Sequence, residues 1–133
     1  MKTINTSGKR KRAIARATLR EGKGLIRINN VNIEHYQPTL YRLKLREPLL
    51  LAGDAVGSLD IDVRVAGGGI ASQSDAARLA IAKALIAHSK NDKLREQFLK
   101  YDRTLLVADV RRKETHKPNR HGKARAKVAK SYR

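Results

Sequence analysis

Two stretches of alternation set the frame. From Lys9 to Arg20, Ala13, Ala15, Ala17 and Leu19 fall on one side, and Arg12, Ile14, Arg16, Thr18 and Arg20 on the other. From Leu59 to Val65 the pattern has no exception: Leu59, Ile61, Val63 and Val65 are apolar, with Asp60, Asp62 and Arg64 between them. A period of two sends successive side chains to opposite faces of a strand, so both segments predict strands with one face on a core and charge on the other. Glu21-Gly22-Lys23-Gly24 reads as a turn, and Leu25 to Ile28 as the hairpin partner returning against the first strand. The opening Ser7 to Arg12 is expected to be mobile without a partner.

The remaining apolar spacing is helical. Pro38 suits a first turn, and Leu40, Leu43 and Glu47 follow at helical intervals, although Leu43 to Arg46 also alternates as a strand would. Pro48 is expected to break this element, leaving Pro48 to Gly53 as a second short helix ended by glycine. After Gly67-Gly68-Gly69 a helix is predicted from Ser72 or Ser74. Its stripe is Ala76, Ala77, Ala80, Ile81, Ala84 and Leu85, with Arg78 and Lys83 off it. So much alanine implies close packing on the sheet. Asn91 or Asp92 caps a further helix through Leu94, Phe98 and Leu99. Thr104 to Ala108 reads as a last buried strand, and the core ends at Asp109.

Charge changes the picture more than composition does. The 133 residues hold 30 Lys and Arg against 12 Asp and Glu, a net charge of +18. Residues 1–27 carry nine bases and only Glu21 as an acid, whereas Ile28 to Val110 is nearly balanced. Arg111 to Arg133 carries ten bases against Glu114, with too little apolar surface to offset the entropy of ordering it. A near-neutral middle between two cationic ends implies a directed surface for a polyanion. There is no cysteine, hence no disulfide or thiolate site. No apolar run approaches the roughly 20 residues of a membrane span, and the N-terminus lacks a secretory h-region.

Candidate chemistry is sparse. The triple glycine before a helix lacks both phosphate-loop patterns, so a turn needing positive φ, or close backbone approach to RNA, is the better reading. Asp60 and Asp62 share a strand face and suggest a carboxylate pair, which would suit a small hydrolase. Arg64 continues that face, and a salt-bridged surface accounts for them better. His35, His88, His116 and His121 show no ligand spacing. In the tail, Lys123, Arg125, Lys127 and Lys130 alternate with Ala124, Ala126 and Ala129, a pattern that threads a narrow groove and meets phosphates on either side. Tyr132 adds a stacking surface and Arg133 a guanidinium fork. A free DNA- or RNA-binding module is the competing class. It would lack a helix-turn-helix, a zinc module or a paired-aromatic platform, with aromatics at 4%.

Several ordered motifs carry a resemblance. Gly8-Lys9-Arg10-Lys11 leads into Ala13 to Ala17. Pro48 to Gly53 and Val65 to Gly69 follow, the latter continued by Ser72 to Arg78. Tyr101 to Leu106 comes next, with Asp109, Arg111, Arg112, Lys113 and Glu114. Gly122 to Ala126 and Lys130-Ser131-Tyr132-Arg133 complete the set. Together they resemble the family of ribosomal protein nine of the small subunit, almost end to end from Gly8. The Ser-Tyr-Arg ending is similar to the archaeal and eukaryotic form.

The resemblance implies an α+β fold, a two-layer α/β sandwich like the second domain of small-subunit ribosomal protein five, with a left-handed crossover and an extended basic C-terminal tail. It divides the chain into a globular rRNA-binding domain over 1–110, with a basic N-terminal strand, and a tail over 111–133. Its implied partners are the 3′ major domain of small-subunit rRNA in the head, neighbouring head proteins and the peptidyl-site tRNA. The rRNA contacts would fall to Lys9, Arg10, Lys11, Arg12, Arg16 and Arg20, and to Arg111, Arg112, Lys113, Lys117, Arg120, Lys123, Arg125 and Lys127. Lys130, Ser131, Tyr132 and Arg133 would lie nearest the tRNA anticodon stem-loop. No catalysis, cofactor, metal, membrane or small-molecule substrate is implied, and the location is the small subunit in the cytoplasm.

Overall fold

A computed structural model describes residues 2–125. Five strands form one sheet: β1 (Ile4–Arg10), β2 (Ala13–Glu21), β3 (Ile26–Ile28), β4 (Val31–Asn32) and β5 (Leu59–Ala66). Three helices accompany it: α1 (Thr39–Ala52), α2 (Ile70–Ser89) and α3 (Asp92–Tyr101). The strand order is β1-β2-β5-β3-β4, antiparallel except that β3 and β5 run parallel. The fold is therefore mixed α+β. The second alternating segment is strand β5 and the first is strand β2 from Ala13 onward, its Lys9 to Arg12 lying instead at the end of β1 and in the turn. The apolar residues form the core, with Ala13, Ala15, Ala17 and Leu19 of β2 and Leu59, Ile61 and Val63 of β5 all 2% exposed or less.

That face is covered by α2, which packs on β1, β2 and β5, while α1 and α3 pack on α2. Ala76, Ala77, Ala80 and Ala84 are buried in the contact, as the alanine stripe predicts. The close fit reaches β1 through Gly8. A Cβ there would stand 2.3 Å from the Ala76 carbonyl oxygen and 2.9 Å from the Ala80 nitrogen. Beside it the Thr6 hydroxyl donates to the Ala80 carbonyl at 2.8 Å.

Several expectations are corrected. Ser7 to Arg12 is not a loose lead-in: it belongs to β1 and its turn, with every residue from Ile4 to Arg10 paired to β2. Its sparse apolar content hid the strand. Leu25 to Ile28 does not return against the first strand, because β5 lies between. The cause is Asp60, whose Oδ1 accepts the Lys23 and Leu25 backbone N–H groups, each at 2.9 Å, and so draws the chain alongside β5.

Pro48 does not break α1. Its ring is buried with Leu45 on the inner side, and that packing offsets the missing N–H donor. The helix ends instead at Gly53, one turn later. α2 starts at Ile70, slightly ahead of the two serines. Thr104 to Ala108 contains no strand. Asp102 Oδ1 accepts the Thr104 N–H at 2.9 Å and coils the chain into a 3-10 turn, Arg103–Leu105. Leu105 is fully buried all the same, so its apolar character went to the core by another route.

Arg78 is the largest departure from the helical pattern. Rather than lying outside the stripe, it is 7% exposed. Its guanidinium pairs with Glu47 of α1 and lies 3.2 Å from Asp102, tying three helical elements together.

Candidate nucleic-acid interface

The hairpin joining β1 to β2 turns on Lys11 and Arg12, with Lys11 in the left-handed region at φ 52°. Against this turn rests the glycine loop after β5. Gly67 has φ 79°, and a Cβ on it would come within 2.6 Å of the Arg12 carbonyl oxygen. Gly67 and Gly68 both have the positive φ that the turn reading asks for, and Gly67 lies close against the Arg12 backbone.

The tail begins beside this corner. An open groove is lined by Lys9, Lys11 and Arg12 from one end of the chain and by Arg111, Arg112, Lys113 and His116 from the other, together with Gly68, Gly69 and Ser72. Six cations thus converge from the two ends of the chain, 100 residues apart in sequence, around one carboxylate, Glu114. Glu114 is itself paired with Arg125, whose Nε donates to it at 2.7 Å.

Asp109 fixes where the tail leaves the core. Arg10, on the inner side of β1, pairs with it, and Asp75 of α2 stands 3.7 Å from the Arg10 Nε. Arg111 folds back on Asp109 through Nη2 at 2.7 Å and donates its backbone N–H at 2.9 Å, while Arg112 donates to the Asp109 carbonyl at 2.8 Å. Hydrogen bonds from Arg111, with the Arg10 charge nearby, hold the Asp109 carboxyl well below the usual carboxylate range. Farther on the tail reverses rather than running straight. Lys123 donates its N–H to the Arg120 carbonyl at 3.0 Å, around a turn in which Asn119, His121 and Gly122 have positive φ. Lys117 faces Lys123 across this turn. Lys127, Lys130, Ser131, Tyr132 and Arg133 lie outside the described residues.

The second surface is the uncovered face of the sheet. Arg16 and Arg20 project from it on β2, as the alternation predicts, beside Arg64 of β5 and Arg27 of β3. Asp62 Oδ2 accepts from Arg20 at 2.6 Å and its Oδ1 from Arg27 Nε at 2.8 Å, so one carboxylate holds two guanidinium groups. Asp60 is occupied with the backbone of Lys23 and Leu25, which lowers its pKa. Neither acid is placed as one of a reacting pair; this is the salt-bridged surface, not a hydrolytic site. Among the described residues no group of three or more His, Asp or Glu is arranged to hold a metal ion, and no helix is long and apolar enough to cross a membrane.

Arg27 and Arg64 are absent from the cations assigned from sequence. The signal for Arg64 was present, since the alternation of β5 places it outward. Its partner across the sheet was not legible without the register. Arg10 makes the opposite point. Within a run of four bases it turns inward to Asp75 and Asp109.

The lowered carboxyls give a pH dependence. Asp102 is pushed up by partial burial but pulled down further by hydrogen bonds from Thr104 and Arg78, so Asp60, Asp102 and Asp109 all sit below the unfolded value of 3.8. Their stabilisation is complete above that value and is lost as pH falls through the folded pKa values. The melting temperature is expected to hold between pH 7 and 5 and to drop below about pH 4. A melting temperature unchanged down to pH 2.5 would contradict this.

The profile of the family described as ribosomal protein S9/S16 matches residues 8–133. The chain is 52% identical over 134 residues to the small ribosomal subunit protein uS9 of Methanococcus maripaludis strain C7, covering the full length of both chains. It is 54% identical to the protein of the same name from Methanococcus vannielii, again over the whole of both chains. Matched along its length by the profile and from end to end by these relatives, the chain belongs to the ribosomal protein S9/S16 family.

Proposed function

We propose that this protein is a structural constituent of the small ribosomal subunit, working in the cytoplasm and without enzymatic activity. Its globular part, residues 1–110, docks on the 3′ major domain of the rRNA in the head, among neighbouring head proteins. Its basic tail, residues 111–133, passes between rRNA segments toward the peptidyl site. The fold assigned with this reading is the two-layer sandwich of the second domain of small-subunit ribosomal protein five, with a left-handed crossover; the one sheet with its three helices is consistent with it.

The observation that carries the reading is the groove where Lys9, Lys11 and Arg12 meet Arg111, Arg112 and Lys113. Cations crowded this closely repel one another, and phosphates of a folded RNA remove that repulsion while releasing counterions. Lys117, Arg120, Lys123, Arg125 and Lys127 extend the same chemistry along the tail. Lys130, Ser131, Tyr132 and Arg133 then reach the anticodon stem-loop of the peptidyl-site tRNA. There Tyr132 packs, and Arg133 offers two parallel N–H donors to a phosphate.

Gradient sedimentation at high salt tests the assignment. Isolated phosphate contacts lose about 10³–10⁵ in affinity between 50 and 200 mM salt, so a loose binder washes to the top of the gradient. The protein is expected to stay with small subunits instead. Subunits carrying a chain that lacks Lys130 to Arg133 are expected to retain the protein but to hold peptidyl-site tRNA more weakly in filter binding. Release of the full chain at high salt would overturn the ribosomal role. Unchanged tRNA affinity after the deletion would overturn the tRNA role alone.

A further inference from the structure

On the uncovered face of the sheet, Arg16 and Arg64 are direct cross-strand partners in the β2–β5 register. Both are exposed, and among the described residues neither side chain has an ion-pair or hydrogen-bond partner. Like charges placed directly opposite on a sheet destabilise the pairing. Farther along β2 and β5 the charges in the same register are relieved. Arg20 lies opposite Asp60, and Thr18 opposite Asp62, which also holds Arg20 and Arg27. The unrelieved pair sits at the centre of the face, in a row completed by Ser7 of β1, the cross-strand partner of Arg16. An uncompensated dication at the middle of a surface that no helix covers needs an external anion.

We propose that this face docks a double-stranded segment of RNA, with its phosphates over the Arg16–Arg64 pair and the Arg20–Asp62–Arg27 cluster fixing its direction. The inference rests on the RNA-binding role proposed above and adds both the face and the form of the RNA. The form follows from what the face lacks and what it offers. Single strands are held by aromatic side chains on which bases stack, and the rows of this face hold no aromatic: they consist of arginines, Lys9, Asn5, Ser7, Thr18, Ile14, Ala66 and the two acids Asp60 and Asp62. A duplex in the A form shows a wide, shallow minor groove edged by phosphates and 2′-hydroxyls. An open sheet fits that shape, with short hydroxyl and amide groups at its centre. The Thr18 hydroxyl donates to the Asn5 side-chain oxygen Oδ1 at 3.0 Å, which aims the two side chains together and leaves the Asn5 NH₂ as a donor for a 2′-hydroxyl. Because Asp62 grips both Arg20 and Arg27, those guanidinium groups are ordered before RNA arrives.

The test uses the full chain and a mixed-sequence RNA of about 16 base pairs, a length that spans two successive minor grooves. The single strand of the same sequence is titrated in parallel, and affinity is followed against salt concentration. Three variants are compared with the parent: Arg16→Gln/Arg64→Gln, Arg16→Lys/Arg64→Lys, and Lys93→Gln/Arg95→Gln on the exposed side of α3. The glutamine pair is expected to lower the slope of log affinity against log salt by about 2 on duplex RNA, with a more than tenfold loss of affinity at low salt. On the single strand it should change little. The lysine pair should keep the slope, and the α3 pair should behave as the parent. Thermal melting of the glutamine pair should match or exceed the parent, because a repulsion has been removed. An unchanged duplex slope in the glutamine variant, or an equal loss on both RNA forms, overturns the duplex face while leaving the ribosomal role standing. A parent chain that binds neither form overturns both.

Discussion

Gly8→Ala is expected to lower the melting temperature by about 10 °C. Position 8 is where β1 and α2 meet backbone to backbone: the new methyl would sit 2.3 Å from the Ala76 oxygen and 2.9 Å from the Ala80 nitrogen. Neither atom belongs to a flexible side chain that can swing aside. To admit the methyl, α2 must move off the sheet by a large part of an ångström along most of β1. The Thr6 bond to Ala80 and the Lys83 bond to the Ser7 carbonyl then lengthen together. Overpacking of a tight core costs about 1–3 kcal/mol, and this site lies at the upper end because both partners are main chain. About 4 °C per kcal/mol is appropriate for a domain of this size. Gly57→Ala is the control, since nothing lies within 4 Å of the added methyl. Equal melting of the two variants would show that α2 yields easily. The change also bears on function, because β1 carries Lys9 and Arg10 and delivers the Lys11–Arg12 turn to the groove.

The second large effect is expected at Arg78→Met. The wild-type guanidinium stands between the carboxylates of Glu47 and Asp102 with only 9% of its side chain exposed. Methionine fills much of the volume but leaves the two acids without their shared counter-charge. Removing one partner of a buried pair costs about 3–5 kcal/mol. Asp102 is partly exposed and keeps its bond from the Thr104 N–H, which places the cost near 3 kcal/mol. Adding Glu47→Leu should restore most of the loss, since an apolar pair in place of a buried ion pair is often neutral. Urea unfolding of both single variants and the double variant gives the coupling directly. Losses that simply add would mean that Glu47 and Arg78 do not act on one another.

These two sites also show where sequence reasoning stops. Alternation is a local property, so β2 and β5 were legible down to which residues face the core. β1 was not, because Asn5, Thr6, Ser7 and Gly8 carry no apolar signal; Gly8 is buried for its lack of a side chain rather than for its hydrophobicity. The partner of Leu25 to Ile28 was hidden because pairing is set at a distance, here by Asp60, 35 residues away from Leu25. Arg78 read as surface because a charged residue off the apolar stripe is normally solvated, and only the fold brings Glu47 and Asp102 to it. Pro48 stopped a helix on paper but not in the core, where burial outweighs one missing bond.

The interface divides along the same line. The cations themselves were plain from composition, and so was their concentration at both ends of the chain. Which of them face outward was not. Arg10 is drawn inward by Asp109, whereas Arg64, in the neutral middle, emerges as the cross-strand partner of Arg16. Charge can be counted from sequence, but whether a charge is spent inside the protein depends on long-range register.

The strand order has a consequence in time. During synthesis the β1–β2 hairpin is complete at Glu21, but its neighbour β5 ends at Ala66 and the covering helix α2 only at Ser89. At roughly 5–20 residues per second, about 2–9 s separate the hairpin from its sheet partner, and still longer from its helix. Throughout that interval the nascent chain presents a cationic ribbon with a bare alanine face and an unpaired edge. A polyanion that reaches Arg16 in that interval engages the face before β5 brings Arg64 to it, so the order of events, and not only the final affinity, decides whether the protein reaches its RNA already folded.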